Sequence, residues 1–161
     1  MNTQLKFQQA IFNNDLASIK FLIKNAKIDY SYLKDHALKI TSSRGDLNIF
    51  KILIKNKNVD VTVSNQFSIR AAFKNSHFAI ADLLLDFDLV DPTILNNSCL
   101  NYAVQNNNFL MTQLLLKKRN ISLYNGYLTA LNTAHFNNNT KIFKLLLDNL
   151  DNSITYKMPN T

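Results

Sequence analysis

Residues 67–97 read FSIRAAFKNSHFAIADLLLDFDLVDPTILNN, and this stretch decides the fold because the chain repeats it. Displaced by 31 residues in either direction, its apolar triplet Leu83-Leu84-Leu85 returns as Phe21-Leu22-Ile23, Ile52-Leu53-Ile54, Leu114-Leu115-Leu116 and Leu145-Leu146-Leu147. Twelve positions before each central leucine stands a small residue: Ala10, Thr41, Ala72, Ala103 and Ala134. Five copies in one register, with no insertion between them, mark a repeat architecture, because self-similarity at a period of about 20–50 residues is what a solenoid leaves in a sequence.

Within the stretch, Ile69, Ala72 and Phe73 form an i, i+3, i+4 stripe that predicts a short helix over Ser68–Asn75. Ile80, Ala81, Leu84 and Leu85 predict a second over Phe78–Leu85, and Asp86 to Asn97 forms a connector with the turn signal Asp91-Pro92. The position after the first helix holds Asn14, Gly45, Ser76, Asn107 and Asn138, mostly residues that adopt the left-handed conformation ending a helix. The next holds Asp15, Asp46, His77, Asn108 and Asn139, where Asp and Asn can cap the second helix. The predicted fold class is therefore all-α, a helix-turn-helix solenoid of five stacked units in a single 1–161 domain. The units run approximately over 5–35, 36–66, 67–97, 98–128 and 129–155, with a polar tail at 156–161. Gln8-Gln9 makes the first helix polar enough to cap one end of such a stack, while Phe7, Ala10, Ile19 and Leu22 still face inward. Ile142 and Phe143 leave the last hairpin apolar, and the tail, through Ile154 and Tyr156, is expected to cover it.

The segment SIRAAFKNSHFAIADLLL resembles the core of an ankyrin repeat, with Ile69 at the leucine of the opening motif, Ala72 at its first alanine, Ser76-His77 at Gly-His and Leu84-Leu85 at the leucine pair. The likeness runs from Leu5 to about Leu150. It departs from the family in its 31-residue period and in lacking the Thr-Pro dipeptide, for which Thr129-Ala130 is the nearest substitute, so shorter connectors are expected. The resemblance implies L-shaped helix pairs stacked side by side, a concave face that binds a protein partner, and no catalysis.

Charge is unusual: 18 Lys and Arg oppose 11 acids, all of them Asp, for a net +7 that favours acidic partners. The 24 Asn include the turn positions, so their periodicity has a structural explanation, and biased codon usage accounts equally well for their abundance. Cys99 is the lone cysteine, which rules out an internal disulfide and fits a reducing compartment. The first residues lack the apolar core of a secretory signal and no run approaches a membrane span, so a cytoplasmic or nuclear location is expected. The sequons at Asn96, Asn120 and Asn138 are then expected to stay unmodified.

Nothing in the chain assembles into chemistry. His36, His77 and His135 occupy three different repeat positions, no Cys/His pair has zinc spacing, and two glycines cannot form a phosphate loop. Asp82, Asp86 and Asp88 fit a solvated helix face better than a calcium loop. No cofactor, metal or small-molecule substrate is expected. The resemblance instead implies partner contacts at the ends of the first helices and at the connectors. The matching residues are Phe12, Asn13, Ser43, Arg44, Lys74, Asn75, Gln105, Asn106, Phe136 and Asn137, with Asp35, Gln66, Asn97 and Leu128 just upstream, near Tyr32, Tyr124 and Tyr127. Exposed aromatics and Arg are the types that anchor interfaces. The alternative is a basic subunit docked on RNA or a nucleoprotein assembly through Lys20, Lys24, Lys51, Lys55, Lys117 and Lys144, which share two positions of the second helix. A solvated helix face is the favoured explanation of that stripe.

Overall fold

The computed structural model of the chain describes residues 2–25, 30–55, 59–118, 121 and 126–155, without the side chains of 30–35 and 151–155. The described residues form ten helices and no strand: α1 (Thr3–Phe12), α2 (Leu16–Asn25), α3 (Tyr30–Arg44), α4 (Leu47–Ile54), α5 (Val63–Lys74), α6 (Phe78–Leu84), α7 (Ile94–Gln105), α8 (Phe109–Lys118), α9 (Tyr127–Phe136) and α10 (Thr140–Thr155). Each odd-numbered helix packs against the even-numbered one that follows it. The hairpins fall into two compact units, residues 1–90 and 91–161. In the first unit α1, α3 and α5 lie side by side, as do α2, α4 and α6; in the second α7 lies beside α9 and α8 beside α10.

The turn inside each hairpin is the expected one, and it is the same five times. Asn14, Gly45, Ser76, Asn107 and Asn138 all have φ between 50° and 80°. The amide after each of them reaches back five residues, from Asp15, Asp46, His77, Asn108 and Asn139 to the carbonyls of Ala10, Thr41, Ala72, Ala103 and Ala134, at 2.8–3.0 Å. This is the six-to-one bond of a helix C-cap, and it satisfies a carbonyl the helix itself leaves unpaired. The small residues of the repeat are thus the acceptors that close it. All five are buried, which leaves no room for a larger side chain where two first helices touch. Capping of the second helix is less uniform: Asp15 accepts from the Ser18 amide at 3.0 Å and Asn108 from the Met111 amide at 3.1 Å, whereas Asp46 and His77 make no side-chain cap.

The central leucines Leu53, Leu84, Leu115 and Leu146 are buried, and Leu22 is half-buried. Phe21 is 65 % exposed, although Ile52, Leu83, Leu114 and Leu145 at the same repeat position are half-buried or buried. Cys99 is buried. The expected covering of the last hairpin falls on the side chain of Ile154 and on Tyr156, which lie outside the described residues.

The connectors differ from the sequence expectation in two ways. Within the first turns of α5 and α7 the chain makes a left-handed turn, with Ser64, Asn65 and Gln66, and then Leu95, Asn96 and Asn97, at φ 52–58°. Three successive non-glycine residues in this region are costly, at roughly 1–2 kcal/mol each. Repeated hydrogen bonds offset that cost. Asp60 Oδ1 accepts from the Thr62 amide (2.8 Å) and hydroxyl (2.6 Å), and Asp91 Oδ1 from those of Thr93 (2.8 and 2.7 Å). The Asn65 carbonyl accepts from Arg70 Nε (2.9 Å) and the Asn96 carbonyl from Asn101 Nδ2 (2.8 Å). The second difference is α3, which starts at Tyr30 rather than near His36. Lys34 stands there at the repeat position of Asn65 and Asn96, and lysine favours the right-handed helix where asparagine tolerates the left-handed turn.

Three substitutions test this reading of turns and core. Leu84→Ala is expected to cost about 2–5 kcal/mol in chemical denaturation, because it opens a cavity among buried neighbours. Ser76→Gly is expected to stabilise by about 0.5–1 kcal/mol by relieving the left-handed strain. Gly126→Ala should instead destabilise, since a Cβ there would lie 2.0 Å from the Asn96 carbonyl oxygen.

Candidate functional site

Because a left-handed residue ends every first helix, the last residues of those helices project at the hairpin tips. Phe12, Asn13, Arg44, Lys74, Asn75, Gln105, Asn106, Phe136 and Asn137 are exposed there, and Ser43 is half-buried. Phe12 and Phe136 stand out at 62 % and 81 % exposure, so they do not close the ends of the core.

In the first unit these tips are tied together by a bond that recurs with the repeat. Arg44 Nη1 donates to the Phe12 carbonyl at 2.6 Å while its guanidinium lies 5.0 Å from the Phe12 ring centre. One hairpin later, Asn75 Nδ2 donates to the Ser43 carbonyl at 3.1 Å. The Ser43 carbonyl also lies 2.9 Å from His77 Nε2. The His77 ring packs so closely on Gly45 that a Cβ at that position would meet Nδ1 at 2.6 Å. Each of these donors satisfies a carbonyl at the end of the preceding first helix, which has no intrahelical partner. Arg44 and Asn75 therefore position their neighbours as well as facing solvent. Their matched spacing in the sequence was the available signal, but the acceptor is a backbone atom that no residue type reveals.

A second cluster lies on α3 and α5. Lys39 Nζ and the Arg70 guanidinium sit 5.7 and 5.8 Å from the centre of the Phe67 ring. Gln66 is half-buried and donates from Nε2 to the Leu89 carbonyl at 3.1 Å, so it braces the connector.

The second unit presents its tips without charge. Leu128 is exposed, the Phe136 ring meets His135 edge-on at 5.9 Å, and the Phe143 ring lies tilted 5.5 Å from the same imidazole. Two expectations are corrected here. Asn97 is only 1 % exposed, because the left-handed turn carries Leu95 and Asn96 outward and Asn97 inward, out of a partner's reach. Tyr127 is equally buried; its hydroxyl donates to the Leu146 carbonyl at 2.8 Å and accepts from Asn149 Nδ2 at 3.1 Å, so it clamps α9 to α10. The side chains of Asp35 and Tyr32, and all of Tyr124, lie outside the described residues.

The lysines of the alternative reading, Lys20, Lys24, Lys51, Lys55, Lys117 and Lys144, are all exposed on second helices. Lys20 and Lys24 lie on α2, Lys51 on the adjacent α4 and Lys55 just after it, and Asp82 and Asp86 lie in and just after α6 of the same unit. A groove of about 700 Å³ opens along α1 and α2, lined by Lys6, Gln9, Asn13, Ser18, Phe21 and their neighbours. Among the described residues no three His, Cys, Asp or Glu gather to hold a metal ion, and no helix is long and apolar enough to cross a membrane.

Stacked helical hairpins, closed by one repeated turn and, in the first unit, tied tip to tip, define a helical-repeat protein. The family model described as "Ankyrin repeats (3 copies)" matches residues 68–157, more than half of the chain, and the protein belongs to the ankyrin-repeat family. The matched span begins within α5, yet the turns at Asn14 and Gly45 share the geometry of those at Ser76, Asn107 and Asn138. Comparison with curated proteins finds no match. Ankyrin repeats are generally protein–protein interaction modules, and proteins of the family are typically non-enzymatic.

Burial raises the Tyr127 phenol above its ordinary 10.0, with the Asn149 hydrogen bond acting in the opposite sense. The folded state then holds the proton more tightly than the unfolded one, so this contribution is intact below pH 10 and is lost as pH rises from there through the folded-state value. Tyr127→Phe is expected to flatten the alkaline fall in melting temperature; an unchanged alkaline limb would contradict the clamp.

Proposed function

We propose that this chain is a non-enzymatic scaffold that binds another protein through the face formed by its first-helix tips and connectors. The observation that carries this reading is Phe12, a large exposed aromatic ring covered on one side by Arg44 and anchored next to it by the Arg44 bond to its carbonyl. Aromatic and Arg side chains held in place lose little freedom on binding and are the residues on which interface energy concentrates. Phe136 supplies the same kind of anchor in the second unit, with Gln105, Asn106 and Asn137 as polar rim. Lys74, Asn75, Ser43 and Asn13 complete the first unit's face, with Gln66 at its connector edge, and Leu128 belongs to that of the second unit. A cytoplasmic or nuclear setting accompanies the reading.

The test is capture of partners from the source cell after nuclease treatment, with cross-linking and mass spectrometry. Phe12→Ala and Phe136→Ala are each expected to keep the helical circular dichroism of the parent and to weaken partner binding by at least about tenfold. A partner retained by both variants, and cross-linked only to Lys20, Lys51, Lys55 and Lys144, would overturn the assignment of the face.

A further inference from the structure

The two units present first-helix faces of different charge. Helices α1, α3 and α5 carry six cations, Lys6, Lys34, Lys39, Arg44, Arg70 and Lys74, against one acid, Asp35. Helices α7 and α9 carry neither Asp, Lys nor Arg; their polar residues are Asn, Gln, Ser, Thr, Tyr and one His. The nearest acids that follow the first unit's tips, Asp15 and Asp46, stand past the turns at the starts of α2 and α4, and Asp15 is engaged by Ser18.

We propose that the partner carries an acidic segment, and that this segment, as one part of the contact, binds the first-helix face of residues 1–90 rather than that of residues 91–161. This deepens the function proposed above and rests on it. Two of the cations are set before any partner arrives: Arg44 is held on Phe12, and Arg70 is held by the Asn65 carbonyl at 2.9 Å beside Phe67. A guanidinium stacked on a ring keeps its edge for carboxylates, and a side chain already ordered loses less entropy on binding. Lys39 flanks Phe67 from the other helix, and Lys74 lies one turn beyond Arg70 on an exposed surface. Exposed Phe12 offers an apolar contact within the same patch. Neighbouring packed helices are roughly 8–10 Å apart, and an extended chain advances about 3.3 Å per residue. A carboxylate at every third position of an extended segment therefore meets α1, α3 and α5 in turn.

The experiment uses the full chain and a fluorescently labelled peptide of about 12 residues with Glu at every third position and a central Leu, read by anisotropy. The same peptide with Lys in place of Glu, and an oligouridylate of similar length, serve as comparison probes. The Glu peptide is expected to bind, and to dissociate as salt approaches about 1 M, where the Debye length falls to about 3 Å. The double variant K39Q/K74Q, which leaves in place the backbone bonds made by Arg44 and Arg70, is expected to weaken it by at least about tenfold with the helical signal intact. The second-helix variant K20Q/K51Q removes the same charge and is expected to leave binding unchanged. Absence of Glu-peptide binding, an equal loss in both variants, or tighter oligouridylate binding that K20Q/K51Q abolishes would each overturn the proposal. A cellular partner that cross-links to the first-helix tips but is indifferent to K39Q/K74Q would overturn the acidic partner alone. A partner that never touches those tips would remove the proposed function with it.

Discussion

The structure depends on one bond made five times. A residue in the left-handed region ends each first helix, and the next amide returns to the carbonyl of a buried small residue five positions back. That bond fixes where the helix stops and how far the chain turns before the second helix begins. The central leucines of the four hairpins that follow the first then come to the same depth, and Leu53, Leu84, Leu115 and Leu146 are all buried. Were the turns to differ, equal spacing in the sequence would not become equal spacing in the stack, and apolar faces about 31 residues apart would no longer meet.

The same turn creates the candidate binding face. A helix that stops abruptly leaves its last carbonyls unpaired and its last side chains in solvent. In the first unit the following hairpin resolves the first problem with side-chain donors, Arg44 to Phe12 and Asn75 to Ser43. The second leaves the candidate surface, a row of exposed aromatic, amide and basic groups. Structure and the proposed recognition thus draw on the same residues. The two units use the row differently, one with cations beside aromatic rings and the other with amides beside Phe136.

Much of this was legible in the sequence, for physical reasons that can be named. Asn14, Gly45, Asn107 and Asn138 announced the left-handed turn because few other residues adopt it without strain; Ser76 followed only from register. The buried leucines and small residues were legible because burial and helical period leave a pattern. The left-handed connectors were not, since they depend on bonds between Asp60 and Thr62 and from Arg70 back to Asn65 that composition does not disclose. The inward orientation of Asn97 and Tyr127 was hidden for a related reason: a polar residue beside a turn reads as exposed until the local backbone shows which way it points. The carbonyl-seeking role of Arg44 was hidden because its acceptor is the backbone.

Amide hydrogen exchange followed by NMR addresses the repeated turn most directly. The amides of Asp15, Asp46, His77, Asn108 and Asn139 lie outside the regular helical ladder and would exchange freely if the turns were open loops. The five-fold bond requires all five to be protected to a degree comparable with the helices they terminate. Exchange at unprotected rates in these amides, with the flanking helices still slow, would contradict the account.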